Sequence, residues 1–334
     1  MKEWLINLSF KQQLLLLAIV GFLSSFAFAP YYQVWCLCIG CSGLLFFAFY
    51  SQGYKESFLL GYVFGFFFFL GGLYWIASAL FVEIASYLYL VPVAVIAIPA
   101  LLALYIAILL CALHSFNNKN SFRFTILFVC LWVIFEVLRT YLFTGFPWLA
   151  AGYSLMFLDS LVQSASIFGV FGLSFVVVSA CCIPFLLLHI SRINVTLIIC
   201  VVVVVVANFI FGFYRLKAPT EYHDHYVVVV QPNISQQDKI NHKKFADNLN
   251  RLVALTVEPQ GYISKSGYII WPETALGHYY KTPIVKSIIE NIVPSGHYLV
   301  TGVDRFHGNK IYNSIVAYNH NGQIVAHYDK FHLV

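Results

Sequence analysis

Seven apolar runs, each long enough to cross a bilayer, fill the first 213 residues: about 13–29, 34–50, 57–80, 88–113, 122–143, 161–190 and 193–213. A spanning helix needs roughly 20 mostly apolar residues. Hydrocarbon offers backbone groups no outside partner, so such runs must be helical. Residues 1–213 hold only 12 Asp, Glu, Lys or Arg, against 21 in the 121 residues from 214 to 334. The composition therefore predicts a membrane domain over 1–213 and a water-facing domain over 214–334. Over all 334 residues, 60% are hydrophobic and 10% charged, against roughly 45–50% and about 25% in soluble proteins. A soluble enzyme, a disordered chain and a nucleic-acid binder are thereby excluded, and the net charge of +5 is scattered rather than gathered into a polyanion site.

Loop charge predicts orientation, because short cytoplasmic loops carry the Lys and Arg excess. Lys2, Lys11, Lys55, Lys119, Arg123 and Arg192 fall in one set of loops; the alternate set holds only Glu83 and Asp159. The N-terminus is expected in the cytoplasm, and an odd span count sends residues after 213 to the far, periplasmic face. The first run is not a cleavable signal, since no small-x-small site follows it and the next span begins at once.

Several features of this half call for more than anchoring. Gly61-x-x-x-Gly65 and Gly71-Gly72 would let helices approach closely. The five Phe between 64 and 69 fit a lipid-facing surface equally well. Glu136 and Arg139 stand at i and i+3 near the end of the fifth span, where charges are costly and usually paired. They read either as a structural ion pair or as a polar patch at a lipid headgroup. Thr144-Gly145-Phe146-Pro147-Trp148 follows as a shaped loop. All eight cysteines, from Cys36 to Cys200, lie in this apolar half and read as small buried hydrophobes.

The polar half changes period. His225–Gln231 and Gly267–Trp271 are short β-branched runs stopped by Pro232 and Pro272, and read as strands buried on both faces. Residues 236–257 and Lys281–Val293 read as helices, and Tyr298–Val303 as a third strand. Ile311–Tyr318 and Gln323–Tyr328 flank Asn321-Gly322, a strong hairpin signal because both residues tolerate positive φ. The order β-α-β-α-β-β-β predicts an α/β layer structure with most strands in one sheet. Glu273 and Lys330 each lie two residues beyond a strand, where a rigid element can aim a side chain into a crevice. An isolated Glu or Lys is more often a solvated charge. His223-x-His225 lacks a third ligand at metal spacing, so no metal and no cofactor are expected.

Taken in order, the landmarks resemble the apolipoprotein N-acyltransferase family. They are Phe28-Ala29-Pro30-Tyr31 with Trp35, Tyr74-Trp75, Glu136-x-x-Arg139, Gly145-Phe146-Pro147-Trp148 and Gly152-Tyr153. The polar half adds Val230-Gln231, Trp271-Pro272-Glu273, Thr301-Gly302, Tyr312-Asn313-Ser314 and Tyr328-Asp329-Lys330-x-His332-Leu333-Val334. The resemblance implies a multi-span α-helical membrane domain followed by a nitrilase-like α-β-β-α domain on the periplasmic side of a bacterial inner membrane. It implies a Cys thioester formed from a phospholipid acyl donor and attacked by the α-amine of a diacylglyceryl-apolipoprotein acceptor. Glu273 would be the general base, and Lys330 would steady the oxyanion.

Two departures stand out. Ile240 occupies the place of a family Trp near the acyl-lipid entrance. The family's Pro-Phe-Gly-Glu stretch and nucleophilic Cys do not occur before Val334, so a truncated product or incomplete record is expected, inactive alone. Two other readings compete. A membrane-tethered carbon–nitrogen hydrolase would use the same domain on amides. A transporter would need polar groups along a path through the bundle, where only Glu136, Arg139 and Glu83 qualify.

Overall fold

A computed structural model describes residues 2–81, 88–116, 119–143, 145–257 and 267–331. Glu83, Thr144 and His332–Val334, singled out in the sequence, lie outside those residues, as does the side chain of Ile240. The chain divides into two compact units, 1–219 and 220–334.

The first unit is helical. Among the described residues, six of its helices are long and apolar enough to cross a membrane: Phe10–Ala27, Tyr54–Ser78, Val91–Ser115, Ser121–Tyr141, Ala165–Leu187 and Arg192–Leu216. A seventh, Val34–Tyr50, is apolar but shorter. The run expected as one span over 161–190 is segmented into Asp159–Val162, Ala165–Cys181 and Ile183–Leu187. Its kink falls at Gly169, whose φ of 67° leaves the helical region. Helix starts carry local signals: Ser9 and Gln12 form a reciprocal capping box, and Ser191 accepts from Asn194 N at 3.2 Å.

Small residues set the closest packing. A Cβ on Gly61 would sit 2.7 Å from the Ile106 carbonyl, and one on Gly65 3.1 Å from Ala103 Cα. The Tyr54–Leu73 and Val91–Ser115 helices thus meet backbone to backbone, as the Gly-x-x-x-Gly spacing predicts. The Phe run is largely internal rather than lipid-facing: Phe64, Phe68 and Phe69 are buried. The same glycines that draw the helices together place this face inside the bundle.

Arg192–Leu216 buries little of its surface and is held by polar pins that the sequence reading passed over. Asn194 Nδ2 donates to Ser121 Oγ at 2.8 Å. Asn208 Nδ2 donates to the Leu161 carbonyl at 2.9 Å and its Oδ1 accepts from Ser164. Gly212 leaves room for the Ser160 carbonyl.

The second unit is a five-stranded sheet in the order β1-β2-β3-β4-β5. The strands are β1 Tyr226–Val229, β2 Gly267–Ile270, β3 Tyr298–His307, β4 Lys310–Tyr318 and β5 Ile324–Asp329. β1, β2 and β3 run parallel, each joined to the next through a helical crossover; β4 and β5 add antiparallel. The Phe245–Val257 and Pro283–Ile292 helices turn Leu249, Leu252, Val285, Ile289 and Ile292 inward. There they meet Ile269, Leu299, Val303, Val316 and Tyr318. The helix expected over 236–257 is broken into Gln236–Ile240 and Phe245–Val257, joined by a 3₁₀ turn.

Two local expectations are corrected. β1 and β2 are not buried on both faces: Val227, Val229 and Tyr268 are exposed, as are Tyr298, Ile315 and Tyr328 on neighbouring strands. Among the described residues, the helices cover one side of the sheet. The β4–β5 hairpin forms where Asn321-Gly322 predicts it, but only Gly322 takes positive φ. The connection is a wider loop in which Asn319 N donates to the Gln323 carbonyl and Gly322 N to the Asn319 carbonyl. A second hairpin, unmarked in the sequence reading, joins β3 to β4 through Gly308, at φ 58°.

Candidate active site

Glu273 stands in the turn that leaves β2. Trp271 anchors the approach, buried and donating its indole Nε1–H to Thr256 Oγ1 at 2.8 Å. Pro272 ends the strand, and its carbonyl accepts from Gly302 N at 3.2 Å. Thr274 then takes a φ of 50°, unusual for a β-branched residue. Gly302 is what admits this turn against β3. A Cβ there would collide with Thr274 N and lie 2.6 Å from Glu273 Cα. The Thr301-Gly302 landmark therefore has a steric reason: only hydrogen fits between β3 and the glutamate's backbone.

Lys330 follows β5. Its backbone N donates to the Asn313 carbonyl at 2.9 Å. The Asn313 side chain in turn donates from Nδ2 to Glu273 Oε1. One residue of β4 thus ties both candidates, holding the backbone of one and the carboxylate of the other. Glu273, Lys330 and Asn313 share the wall of a cavity of about 360 Å³, with Ile270, Val300, Ile315 and Tyr328 as apolar lining.

The residue before Lys330 is locked more firmly. Asp329 accepts from Arg305 Nε at 2.8 Å and Nη2 at 2.5 Å, and from Ser314 Oγ at 2.6 Å. Arg305 also lies over the Tyr312 ring, 5.2 Å from its centroid. A bidentate guanidinium–carboxylate pair fixes orientation as well as charge. Arg305 and then Ser314 hold the Asp329 carboxyl below its usual range, to about 2. The pair clamps β3 to β5 across β4, fixing where the chain leaves the sheet for Lys330. Arg305 and Asp329 are 24 residues apart, and nothing local in the sequence links them.

This arrangement presents a carboxylate for proton removal and a cation for developing negative charge, on one partly apolar cavity. Among the 334 residues, no cysteine occurs after Cys200. Among the described residues, no three His, Cys, Asp or Glu side chains converge as a metal site would require.

In the first unit, Glu136 and Arg139 are both buried. Each is spent on the following loop rather than on a direct mutual bridge. Glu136 Oε1 accepts from Trp132 Nε1 at 2.9 Å and Ala151 N at 2.8 Å. Arg139 Nη1 donates to the Trp148 carbonyl at 2.5 Å and its guanidinium lies over the Phe69 ring. Gly152 N donates to Ser174 Oγ at 2.9 Å, and Leu149 fills a notch over Gly72. The helix end and its loop form one unit, with Trp148 edge-on to Trp75 at 5.5 Å.

Two family models match the chain in succession. Residues 20–183 match the apolipoprotein N-acyltransferase N-terminal domain, and residues 227–334 match carbon–nitrogen hydrolase. The apolipoprotein N-acyltransferases of Rickettsia bellii and Rickettsia typhi are each 33% identical to it over 325 residues, which is 95% of this chain and 64% of the relative. That of Rhodopseudomonas palustris is 33% identical over 300 residues, 85% of this chain and 56% of the relative. The chain thus spans 56% to 64% of the length of these relatives. Helical unit and mixed sheet match in succession, so the chain is similar in both of its units to the apolipoprotein N-acyltransferases.

Proposed function

We propose that this chain forms part of a phospholipid:apolipoprotein N-acyltransferase, with Glu273 and Lys330 as two members of its catalytic triad. The observation that carries the reading is their convergence, from the ends of β2 and β5, on one cavity through Asn313. The third member, a thiol, is assigned to a segment outside these 334 residues. Glu273 takes the thiol proton as sulfur attacks the donor ester, and returns it to the departing lysophospholipid oxygen, leaving a thioester. Lys330 stabilises the oxyanion of that step. The α-amine of a diacylglyceryl-cysteine then attacks the thioester; an amide forms and the thiol is regenerated.

The membrane setting supports lipid substrates. Counting Val34–Tyr50, whose 17 residues fall at the short end of the ~17–25 that can span, the chain crosses seven times. With the Lys and Arg bias of the loops, this supports a bacterial inner-membrane protein with a cytoplasmic N-terminus and a periplasmic second unit. Residues 1–213 act as the membrane domain and 214–334 as part of the nitrilase-like domain.

The carbon–nitrogen hydrolase match to 227–334 keeps an amidase as the second reading. A chimera carrying the remaining segment of the Rickettsia bellii relative distinguishes them. Supplied with phospholipid and a diacylglyceryl lipopeptide, it should add one acyl chain to the lipopeptide amine, seen by mass. Ammonia release from simple amides without acyl transfer would favour the amidase.

A further inference from the structure

Three membrane helices leave a groove between them, far from the sheet. Ile126 and Val129 line it from Ser121–Tyr141, Phe175 and Val176 from Ala165–Cys181, and Cys200 and Val204 from Arg192–Leu216. Its volume is about 180 Å³. The lining is apolar but for Thr125 and Ser179, whose hydroxyls are spent inside their own helices. Thr125 Oγ1 donates to the Ser121 carbonyl at 2.9 Å, and Ser179 Oγ to the Phe175 carbonyl at 2.7 Å. Water gains no free partner there, and an apolar cavity of ~150 Å³ stays dry and takes an apolar guest. The groove follows from how Arg192–Leu216 is held. Asn194 pins that helix to Ser121, and Asn208 pins it to Leu161 and Ser164, at points about 21 Å apart along its axis. Between the pins, Leu197, Cys200, Val201 and Val204 face the groove.

We propose that this groove seats one acyl chain of an anionic phospholipid, held as a fixed part of the membrane unit and not consumed as a substrate. The site goes beyond the acyltransferase reading and does not depend on it. From Leu197 to Val204 the groove follows the helix for about 10 Å, inside the ~15 Å of hydrocarbon that one leaflet supplies. Its near end, at Thr125 and Leu197, lies within two turns of the helix starts at Ser121 and Arg192. The 2.8 Å bond from Asn194 to Ser121 holds those two starts side by side. Each carries an exposed arginine, Arg123 and Arg192, whose guanidinium has no hydrogen-bond or ion-pair partner among the described residues. No Asp or Glu occurs in 84–135 or 160–220, so every formal charge in those segments is positive. Basic sites between membrane helices hold anionic lipid headgroups, and a guanidinium matches a phosphate with two parallel hydrogen bonds. A lipid whose phosphate meets these arginines and whose chain enters the groove fills the gap that the two asparagine pins leave.

Photolabelling of the full chain in phosphatidylcholine nanodiscs tests the site. The probes are phosphatidylglycerol and phosphatidylcholine, each carrying a diazirine in one acyl chain and used separately at the same trace level. Mapped by peptide mass, phosphatidylglycerol adducts at Phe175, Cys200, Val201 and Val204 should exceed severalfold those at Val195, Val202 and Val206, which are exposed elsewhere on Arg192–Leu216. Phosphatidylcholine should show no such excess. Val201→Trp fills the groove and should abolish the excess; Ser179→Phe provides the same readout if that variant folds poorly. Arg123→Gln with Arg192→Gln should lower phosphatidylglycerol labelling of the groove to the phosphatidylcholine level. Equal labelling around the helix would show ordinary lipid contact only and overturns the proposal. So does an equal excess with phosphatidylcholine, or an excess that survives the arginine substitutions. Each of these results leaves the acyltransferase reading standing.

Discussion

Replacing Gly302 with alanine should loosen the glutamate turn without touching the glutamate side chain. The added Cβ would lie 2.6 Å from Glu273 Cα and collide with Thr274 N, both backbone atoms. A comfortable carbon contact needs ~3.5–4.0 Å, so the turn must retreat by about 1 Å. Overpacking of this kind costs about 1–3 kcal/mol, or roughly 5–150-fold in the opening equilibrium by RT ln K. Two hydrogen bonds report the opening: Gly302 N to the Pro272 carbonyl and Leu276 N to the Gly302 carbonyl. Hydrogen–deuterium exchange of peptides covering 268–276 and 298–306 should accelerate by a factor in that range, while Val91–Ser115 stays protected. In the chimera able to turn over, a displacement of this size should lower the rate by about 10²-fold. Wild-type exchange in Gly302→Ala would refute the claim that the glycine admits the turn.

Other outcomes follow from the same geometry. Glu136→Leu removes the acceptor shared by Trp132 Nε1 and Ala151 N; leaving buried donors unpaired should cost about 1–3 kcal/mol, read as a lowered melting temperature in detergent, with Glu136→Gln clearly milder. Asp329 has its pKa lowered in the folded chain, to about 2, so the clamp on β5 contributes fully above ~pH 4, the range of a free carboxyl, and is lost as pH falls through about 2. Acid titration followed by exchange of residues 310–329 should show this loss, and Asp329→Asn should flatten it while lowering protection at neutral pH. For orientation, alkaline phosphatase fused after Ala218 should be active and one fused after Asn118 inactive; the reverse would sink the seven-span reading.

The elements most legible in the sequence were those set by local rules. The membrane helices follow from run length and the absence of charge. β1 and β2 follow from β-branched runs stopped by Pro232 and Pro272, and the Phe245–Val257 and Pro283–Ile292 helices from apolar periodicity. What stayed hidden depends on partners far along the chain. Val227 and Val229 read as buried because a β-branched run does not tell how many layers cover it. The Phe64–Phe69 face read equally well as lipid-facing because only the glycine contact with Val91–Ser115 turns it inward. Asn194 and Asn208 went unnoticed in the sequence because their partners at Ser121, Leu161 and Ser164 lie far along the chain. At the site, Glu273 and Lys330 were selected by motif and by their position after strands. The role of Asn313 between them, and the Arg305–Asp329 clamp, exist only through the β3–β4–β5 register.

The most direct test of the acyltransferase assignment is thioester formation with a labelled phospholipid. The chimera with the Rickettsia bellii segment, its Glu273→Gln and Lys330→Met variants, and the 334-residue chain are compared on non-reducing gels, with hydroxylamine to confirm the bond. The account predicts hydroxylamine-labile label on the chimera and none on the 334 residues alone. It predicts a drop of about 10²–10⁴-fold in acylation rate for Glu273→Gln and about 10²–10³-fold for Lys330→Met. Near-normal labelling of both variants would contradict it, because Glu273 and Lys330 would then be solvated charges beside the reaction rather than part of it.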